Sequence, residues 1–549
     1  MKFKFLCGKN HKDFVKMTDL VTKEDFDLYN VIKEVLYRKE YMPFVKANYD
    51  NKWVEHSYLF NDYIFPFQFW GDVERVCKTL PHLIPESEVI LQDDPRKTGY
   101  YSQLKREDYE AWLKSLKIPD DISLDREEYS YQPESAFRGI NNHVARISVA
   151  TSGGKTFLTY LYCKCLIDVI KTPGRILIIV PSKLLCKQLK DDFAHYDEKN
   201  DNKILVETIY SNSKRIAGAK VVCGTYQSLK NYDVDYFDDF TVCICDELHR
   251  AKAYSIRNEI YSKIHNADYF FGMTGTFPPY KSLDYLHIVS MFGEEVVKVT
   301  VKQLIDTHIA NNVNIKSIQI TYFNSDKNNP KDKVSSFDEI LDNFPEICPE
   351  YFDKHQDECS DEESLREFLE VLKQDPNKRY YAEKTYFQYN LRRTAIISKL
   401  INMFDENSII FVDTIAYCDE LYDFLTRRCP DRHFEIIHGT VKDRDGIIQR
   451  MRETPNKFVL IATYGTMSTG VSIKNLTNAY IVDGGKSTIR IKQSMGRLMR
   501  MLDDKHTSKI FDFYDNIPST AFRRQAMERL KIYKNEKLRI EKFDVKILK

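Results

Sequence analysis

Short apolar runs alternate with longer amphipathic stretches from Thr172 onward. The first run, Arg175 to Pro181, is followed by the helical pattern Leu184 to Phe193. Continuous apolar runs are typical of strands that are buried on both faces of a parallel sheet. Three further runs continue the rhythm: Lys220 to Gly224, Thr241 to Cys245 and Tyr269 to Met273. The pattern predicts an α/β fold with functional residues at the strand ends.

A second α/β rhythm begins near Ile396 and predicts another parallel sheet. Its predicted strands are Ser408 to Val412, His433 to Ile437, Phe458 to Ala462 and Ala479 to Val482. Between the two patterns, residues 326–375 contain sixteen acidic and six basic residues and no glycine. Such a charge run predicts a solvated, mainly helical insertion, with a partner-binding segment as the alternative.

The two ends of the chain follow neither rhythm. The first 125 residues carry aromatic clusters such as Phe65-Pro-Phe-Gln-Phe-Trp70 and predict an α+β accessory domain, in which a DNA-binding role is weighed against simple core packing. Residues 521–549 are basic and helical in composition, and a solvated helix is favoured over a DNA contact. The predicted domains are the accessory domain 1–125, an α/β domain 126–300, a linker with the acidic insertion 301–392, a second α/β domain 393–515 and a short helical C-terminal segment 516–549.

Composition narrows the class of protein. The 549 residues are too many for one core, and 43% hydrophobic with 30% charged residues is typical of a soluble globular protein. The formal net charge is zero, so any nucleic acid would be held by local basic patches. The 12 cysteines form no C-x-x-C pair, which argues against zinc and disulfide frameworks. Neither a signal peptide nor an apolar stretch of membrane-spanning length is evident, so we expect a cytoplasmic protein in a reducing compartment.

The segment from Val149 to Thr156 reads Val-Ala-Thr-Ser-Gly-Gly-Lys-Thr and precedes a run that can continue as a helix. Backbone N–H groups of such a turn converge on phosphate oxygens, Lys155 adds a positive charge, and the Thr156 hydroxyl can bind a magnesium ion. An ordinary glycine turn before a core helix is the alternative, because Val149 stands where the pattern has its first glycine. The candidate phosphate-binding residues are Ala150, Thr151, Ser152, Gly153, Gly154, Lys155 and Thr156.

Other polar residues follow predicted strands. Asp246 and Glu247 come after the run that ends at Cys245, and two such carboxylates suit metal-assisted phosphoryl transfer: Asp246 would hold magnesium and Glu247 would orient or deprotonate the attacking water. Simple solvation of a loop is the alternative. Thr274 and Thr276 follow another strand and predict a hydroxyl-rich turn, or otherwise a helix N-cap.

Two segments far from the phosphate loop add candidates. Gln132 lies upstream of Lys155, where its amide can both donate to and accept from an adenine edge. Arg497 and Arg500 lie three residues apart, on one face if the segment is helical, and could reach a γ-phosphate. A surface basic helix is the alternative for these arginines.

Taken in order, these segments resemble the motifs of the superfamily 2 helicases. The similarity covers about residues 126–515 and implies two RecA-like domains with ATP in the cleft between them. The matching segments are Tyr131-Gln132 (Q motif), Ala150 to Thr156 (I), Pro181-Ser182 (Ia), Gly224 to Gln227 (Ic), Asp246 to His249 (a DExH motif II), Thr274 to Thr276 (III), Thr463 to Ser472 (V) and Gln493 to Arg500 (VI).

The resemblance also implies roles. Lys155, Asp246, Glu247, Arg497 and Arg500 would be catalytic, and Thr156 and Asp246 would hold Mg²⁺. Three further groups of residues complete the expected site: Gln132, Gly470 and Gln493 with the loop for nucleotide; Pro181, Ser182, Thr225, Gln227 and Thr463 for DNA; and His249, Thr274 and Thr276 for coupling. DNA would be held mainly through its phosphates, which makes binding dependent on salt.

The segments 463–475 and 493–497 are similar to the T-even phage recombination branch of this family. That branch implies ATP-driven remodelling of branched DNA, including junctions, forks and R-loops, in the cytoplasm of an infected bacterium, with single-strand-binding or recombination proteins as candidate partners. Val149, Ser494 and the long acidic insertion depart from the common pattern. A translocase subunit of a restriction or defence nuclease, an RNA helicase and a non-catalytic, ATP-gated DNA-binding module remain as alternatives.

Overall fold

The computed structural model describes residues 1–7, 13–41, 53–98, 101, 103–120, 122, 130–210, 216–250, 254–280, 282–347, 361–454, 456–467, 475–484 and 507–549. The chain divides into two compact units, Met1–Thr300 and Val301–Lys549. Each unit contains a seven-stranded parallel sheet, which confirms the predicted α/β class with two parallel-sheet domains. Across the described ranges, no helix has both the length and the apolar character needed to cross a membrane.

The first unit begins with a small α+β layer, as predicted. Two strands pair antiparallel on their own, and the other four form a sheet in the order β5-β2-β1-β6. The strands are β1 (Lys2–Leu6), β2 (Phe14–Thr18), β3 (Tyr37–Tyr41), β4 (Trp53–Ser57), β5 (Ile64–Pro66) and β6 (Leu91–Gln92). The helices are α1 (Lys23–Leu36), α2 (Trp70–Lys78) and α3 (Arg106–Ser115), with 3₁₀ turns at Asn61–Tyr63, Phe67–Phe69 and Glu86–Glu88.

The larger sheet of the first unit is fully parallel, with the order β13-β7-β12-β11-β8-β10-β9. Its strands are β7 (Val144–Val149), β8 (Arg175–Val180), β9 (Val206–Ile209), β10 (Val221–Thr225), β11 (Phe240–Asp246), β12 (Tyr269–Thr274) and β13 (Glu295–Val299). The intervening helices are α4 (Tyr131–Asn142), α5 (Lys155–Cys165), α6 (Lys183–Tyr196), α7 (Tyr226–Leu229), α8 (Tyr254–Glu259) and α9 (Leu283–Phe292). All four strands predicted in this half of the chain are present, because their side chains are buried on both faces.

The N-terminal layer is joined to the larger sheet through an apolar core. Phe65, Phe67, Phe69 and Trp70 are buried, so these aromatic residues serve mainly the core. Tyr285, Leu286 and Val289 of α9 belong to the same cluster of buried side chains. The accessory segment therefore shares its core with a helix of the following domain, although the sequence suggested separate domains.

The second unit contains the other parallel sheet, with the order β16-β17-β15-β18-β19-β14-β20. Its strands are β14 (Asn312–Phe323), β15 (Ser408–Val412), β16 (His433–Ile437), β17 (Phe458–Thr463), β18 (Asn478–Ile481), β19 (Thr507–Asp515) and β20 (Arg539–Leu548). The helices are Val301–Asp306, Asp338–Leu341, Phe344–Ile347, Glu362–Gln374, Pro376–Tyr389, Leu391–Met403, Ile415–Arg428, Arg444–Glu453, Tyr464–Met467 and Ala521–Asn535.

The acidic insertion is less solvated than its charge suggests. Its helices present acidic side chains outward, but Phe337, Leu341, Phe344 and Phe368 are buried in the core of the second unit. Burial of each such side chain stabilises the fold by about 1.5–3 kcal/mol, which outweighs the tendency of the charged neighbours to stay in water. The expectation of a fully solvated insertion is wrong for these residues, whereas its helical character is confirmed in the described part.

The C-terminal segment is only partly helical. The helix Ala521–Asn535 is present, but it is followed by β20, which pairs in parallel with β14 over ten residues from Asn314↔Arg539 to Phe323↔Leu548. A strand at a sheet edge needs no continuous apolar run, because one side of it stays in solvent. The exposed, charged positions of β20 explain why the sequence predicted a helix there.

Candidate nucleotide-binding site

The predicted phosphate loop lies between β7 and α5, at the carboxyl end of the parallel sheet. Gly154 has φ 72°, in the left-handed region, and is the N-cap of α5. A Cβ atom on Gly153 would lie 2.5 Å from Cγ1 of Val149, so this position has room for glycine alone. Val149 itself is the buried last residue of β7. The departure at Val149 therefore lies in the strand, and the loop still turns on two glycines.

Lys155 and Thr156 are the first two residues of α5 and are half-buried. The first N–H groups of a helix have no partner within the helix and point toward a bound anion. The loop is held from within by a hydrogen bond from the N–H of Gly153 to the carbonyl of Ala150, at 3.1 Å. This geometry is suited to holding phosphate.

The Q-motif segment lies against the same loop. Tyr131 and Gln132 are the first residues of α4. Gln132 is buried, and its Nε2 donates to the carbonyl oxygen of Gly153 at 3.2 Å. The hydroxyl of Tyr131 donates to the same oxygen. The predicted nucleotide-binding glutamine therefore lies beside the phosphate loop, which its sequence position alone did not establish.

Asp246 is the last residue of β11, the strand that lies between β8 and β12. Burial, followed by the negative charge of Glu247, raises the pKa of Asp246 from 3.8 to about 6, while the positive charge of Lys155 partly opposes the shift. Oδ1 of Asp246 accepts a hydrogen bond from the N–H of Glu247 at 2.9 Å. Both predicted carboxylates thus lie at the strand end near Lys155.

Glu247 has φ 51°, a left-handed conformation that is uncommon for a residue with a side chain. Such strained residues cluster at functional sites, where the surrounding structure holds them in place. Here Oε2 of Glu247 lies 3.3 Å from Nδ1 of His249. The turn thereby fixes the carboxylate relative to the neighbouring histidine.

The predicted coupling residues meet in one buried network. Nδ1 of His249 lies 3.2 Å from Oγ1 of Thr274, which also accepts from the N–H of Thr276 at 3.1 Å. Between the two threonines, a Cβ atom on Gly275 would lie 3.2 Å from the carbonyl oxygen of Val149. The Thr-Gly-Thr turn therefore contacts His249 and lies close to the start of the phosphate loop.

The predicted DNA-binding residues of the first unit lie together in a separate cavity of about 760 Å³. Ser182 caps α6 by accepting from the N–H of Leu185, and Thr225 caps α7 by accepting from the N–H of Ser228. Both caps follow strand ends, as the α/β pattern predicts. The residues that line this cavity include Pro181, Ser182, Lys183, Thr225, Gln227 and Asn231.

The remaining candidates are divided between the second unit and the residues outside the described ranges. Thr463 is buried at the end of β17, where its hydroxyl lies 2.9 Å from that of Thr466. Gly470, Gln493, Arg497 and Arg500 lie outside the described residues, so their roles stay predictions.

Two tyrosines contact the site without having been predicted to do so. One is Tyr131, and the other is Tyr226, whose hydroxyl lies 3.3 Å from the carbonyl oxygen of Asp246 and 3.1 Å from Sγ of Cys245. Both belong to segments that resemble helicase motifs, Tyr131-Gln132 and Gly224 to Gln227, but the sequence assigned neither tyrosine a role.

Two family models match the chain. The model of the type III restriction enzyme res subunit matches residues 105–279, and the model of the helicase conserved C-terminal domain matches residues 392–502. The first match contains the phosphate loop, the Asp-Glu pair and the Thr-Gly-Thr turn. The chain belongs to the superfamily 2 helicases. As a helicase it is an enzyme that uses a nucleotide.

This helicase is similar to viral helicases, to one of them along most of its length. The ATP-dependent DNA helicase uvsW of Enterobacteria phage T4 is 24% identical over 460 residues, which cover 82% of the chain and 80% of uvsW. The RNA helicase NPH-II of Vaccinia virus (strain Western Reserve) is 36% identical over 80 residues, which cover 15% of the chain and 11% of NPH-II.

A solved structure shares this fold. The ATP-dependent type ISP restriction-modification enzyme LlaBIII, bound to DNA, aligns with 78% of the helicase and 32% of its own chain, at 14% identity and a TM-score of 0.52. The crystal structure of T4 UvsW covers 100% of both chains at 20% identity, with a TM-score of 0.42.

Proposed function

We propose that this helicase hydrolyses ATP to remodel branched DNA, such as junctions, forks and R-loops, in phage recombination and repair. The similarity to uvsW over 82% of the chain is the single observation that carries the proposal, because that relative is an ATP-dependent DNA helicase. We place the activity in the cytoplasm of an infected bacterium, where single-strand-binding and recombination proteins are the candidate partners.

The proposed reaction begins with the phosphate loop. The N–H groups at the start of α5 and the ammonium of Lys155 bind the phosphates of ATP. The carboxylate of Glu247 accepts a hydrogen bond from the attacking water and orients it, since its position is fixed by the strained turn and by His249. We therefore assign to Glu247 the role of orienting the attacking water.

The residues present suit a magnesium ion. Thr156 contributes a hydroxyl at the helix start, and Asp246 contributes a carboxylate at the end of β11. The other ligands of the ion would come from phosphate and water. When bound, Mg²⁺ neutralises charge on the phosphates.

The proposed roles of the two arginines rest on the resemblance to the helicase motifs alone. We propose that Arg497 and Arg500 stabilise the charge that develops on the γ-phosphate, with Gly470 and Gln493 also contributing to nucleotide binding. Arg500→Ala should then abolish hydrolysis and leave most of the ATP binding intact.

We assign the DNA backbone to the cavity that contains Ser182, Thr225 and Gln227. Hydroxyl and amide side chains and the N-terminus of α6 are groups that bind phosphate oxygens without reading base sequence. Lys183 lies at the same rim and adds positive charge. Contacts of this kind suit a motor that recognises the shape of DNA and whose affinity falls as salt rises.

The match to the res subunit model supports a second candidate, the translocase subunit of a restriction or defence nuclease. Such a subunit moves along duplex DNA without separating its strands and works with a nuclease partner. A third candidate function is that of an RNA helicase, which the short similarity to NPH-II favours.

One experiment distinguishes these functions: ATP hydrolysis is measured with single-stranded, duplex, forked and four-way DNA and with RNA. Strand separation is followed in parallel with labelled substrates. We expect the strongest stimulation by forked or four-way DNA, together with separation of strands. Stimulation by plain duplex without strand separation would support the translocase, and stimulation by RNA alone would support the RNA helicase.

A further inference from the structure

Two side chains from the first turn of α4 end on one backbone atom of the phosphate loop. The hydroxyl of Tyr131 and Nε2 of Gln132 both donate to the carbonyl oxygen of Gly153. A Cβ atom on Gly153 would lie 3.2 Å from the hydroxyl of Tyr131, so the tyrosine is in close contact with the loop. A carbonyl oxygen has two lone pairs, and these two donors can occupy both.

The orientation of this carbonyl fixes the next N–H group. In a planar trans peptide the C=O and N–H bonds point in opposite directions. Holding the oxygen of Gly153 toward α4 therefore turns the N–H of Gly154 away from α4, at the N-cap position of α5 where phosphate would bind. Two successive glycines have the greatest backbone freedom, so this peptide depends on contacts from outside the loop.

The two donors differ in what else they can do. The amide of Gln132 gives one N–H to Gly153 and still has a second N–H and an oxygen with which to read a nucleotide base. A tyrosine hydroxyl has a single proton to donate, and that of Tyr131 is directed to the loop. The tyrosine contact therefore concerns the phosphates, which all nucleotides share, whereas the glutamine can also select the base.

We infer that Tyr131 is a positioning residue that holds the Gly153–Gly154 peptide in the orientation that receives phosphate. This inference rests on the proposed hydrolysis of ATP and assigns different roles in nucleotide binding to the two neighbouring residues. Tyr131 sets the affinity for any nucleoside triphosphate, and Gln132 sets the preference for adenine.

The test compares Tyr131→Phe with Gln132→Ala and with a matched control, Tyr109→Phe. The hydroxyl of Tyr109, on α3, donates to the carbonyl oxygen of Pro133, on α4, at 2.8 Å. The control therefore removes a tyrosine hydrogen bond to α4 without touching the phosphate loop. Steady-state hydrolysis is measured with ATP and with GTP, and hydrogen–deuterium exchange is measured for the peptide that covers residues 150–158.

Tyr131→Phe should raise KM about three- to tenfold for ATP and by the same factor for GTP, as expected for the loss of one hydrogen bond, and leave kcat within about twofold. Exchange in residues 150–158 should become faster. Gln132→Ala should reduce the ratio of kcat/KM for ATP to kcat/KM for GTP. Tyr109→Phe should change neither KM nor hydrogen exchange in the loop.

Several results would overturn the inference. These are an unchanged KM with unchanged exchange in Tyr131→Phe, a rise in KM confined to ATP, or an equal effect of Tyr109→Phe. If the unaltered protein hydrolyses no nucleotide, the proposed function fails, while the exchange comparison still decides whether Tyr131 orders the loop.

Discussion

At the scale of single residues, the site combines groups that destabilise the protein with groups that hold them in place. Burial and the charge of Glu247 disfavour the ionised form of Asp246, and Glu247 adopts a left-handed backbone conformation. Natural proteins tolerate such local costs where chemistry requires them. The N–H of Glu247 donates to Asp246, and His249, which also contacts Thr274, lies beside the carboxylate of Glu247.

The raised pKa of Asp246 leads to a prediction about stability. The folded protein keeps a proton on this carboxyl up to about pH 6, whereas the unfolded chain releases it near its ordinary value of 3.8. Stability therefore falls as the pH rises through this window, because the folded form must give up a proton that the unfolded form has already lost. We expect Asp246→Asn, which carries no charge, to melt at least about 2 °C above the unaltered protein at about pH 7.5.

This difference should shrink as the pH falls and vanish near pH 4. Differential scanning fluorimetry without nucleotide, over a series of pH values, measures it. A difference that does not change with pH, or a lower melting temperature at neutral pH, would contradict the assigned cause of the shift.

Most site residues were predictable from the sequence because each combines a distinctive side chain with a strand end. Lys155, Asp246 and Thr274 are of this kind. The contacts that orient them were not predictable, since the hydroxyl of Tyr131 reaches the loop across 22 residues of sequence and His249 reaches Thr274 across 25. Such contacts depend on how helices and strands pack, which spacing along the chain does not encode.

At the scale of helices and strands, the nucleotide site and the cavity assigned to DNA both lie at the carboxyl ends of strands in the seven-stranded sheet of the first unit. The cavity lies at the ends of β8 and β10, and the carboxylates lie at the end of β11. The two sites thus lie on strands that pair with one another.

Gln227→Ala tests the assignment of the cavity. Gln227 is exposed and lines the cavity, so its loss should weaken the stimulation of hydrolysis by DNA and leave the basal rate unchanged. We expect the DNA concentration at half-maximal stimulation to rise about two- to fivefold, the effect of losing one contact to phosphate. Gln188→Ala is the control, because Gln188 is exposed on α6 and does not line the cavity. Equal effects of the two variants would remove the cavity from the DNA path.

In the second unit, a buried ion pair joins the helix Leu391–Met403 to the end of β19. Nε of Arg393 lies 2.9 Å from Oδ1 of Asp515, and both side chains are almost fully buried. The hydroxyl of Tyr322 on β14 donates to the same carboxylate at 2.6 Å. Removal of the arginine would leave the charge of Asp515 buried without its partner.

We therefore expect Arg393→Ala to lower the free energy of unfolding of the second unit by about 3–5 kcal/mol. Arg392→Ala is the control, since this neighbouring arginine is exposed and its loss should cost under about 1 kcal/mol. Guanidinium unfolding, followed by circular dichroism, gives both values. Similar losses in the two variants would show that the buried pair does not stabilise the unit.

The strands predicted from continuous apolar runs are present, whereas others, including the buried strands β7 and β19 and the edge strand β20, were not predicted. β8, β11, β15 and β17 are continuous apolar runs because both faces are covered. By contrast, β20 mixes charged and apolar residues and, apart from Ile547, is not buried, so it lacks the continuous apolar run that marks the inner strands. Its strand character comes from pairing with β14, which lies more than 200 residues earlier in the sequence.

At the scale of the whole molecule, the chain repeats one architecture: each compact unit contains its own seven-stranded parallel sheet. The order of motifs along the sequence predicted both sheets and the class of enzyme. Composition alone did not, because a net charge of zero and an ordinary content of apolar residues fit many soluble proteins. The proposed hydrolysis therefore requires that the phosphate loop, the two carboxylates and the Thr-Gly-Thr turn act as one site.

The most direct measurement is ATP hydrolysis by a folded Glu247→Gln protein, with nucleotide binding measured on the same sample. We expect binding to persist and turnover to fall at least about 100-fold, because the amide cannot accept the proton of the attacking water. Glu198→Gln, an exposed change elsewhere in the first unit, should leave turnover unaltered. Full turnover in folded Glu247→Gln would contradict the assignment of Glu247 and, with it, the proposed mechanism.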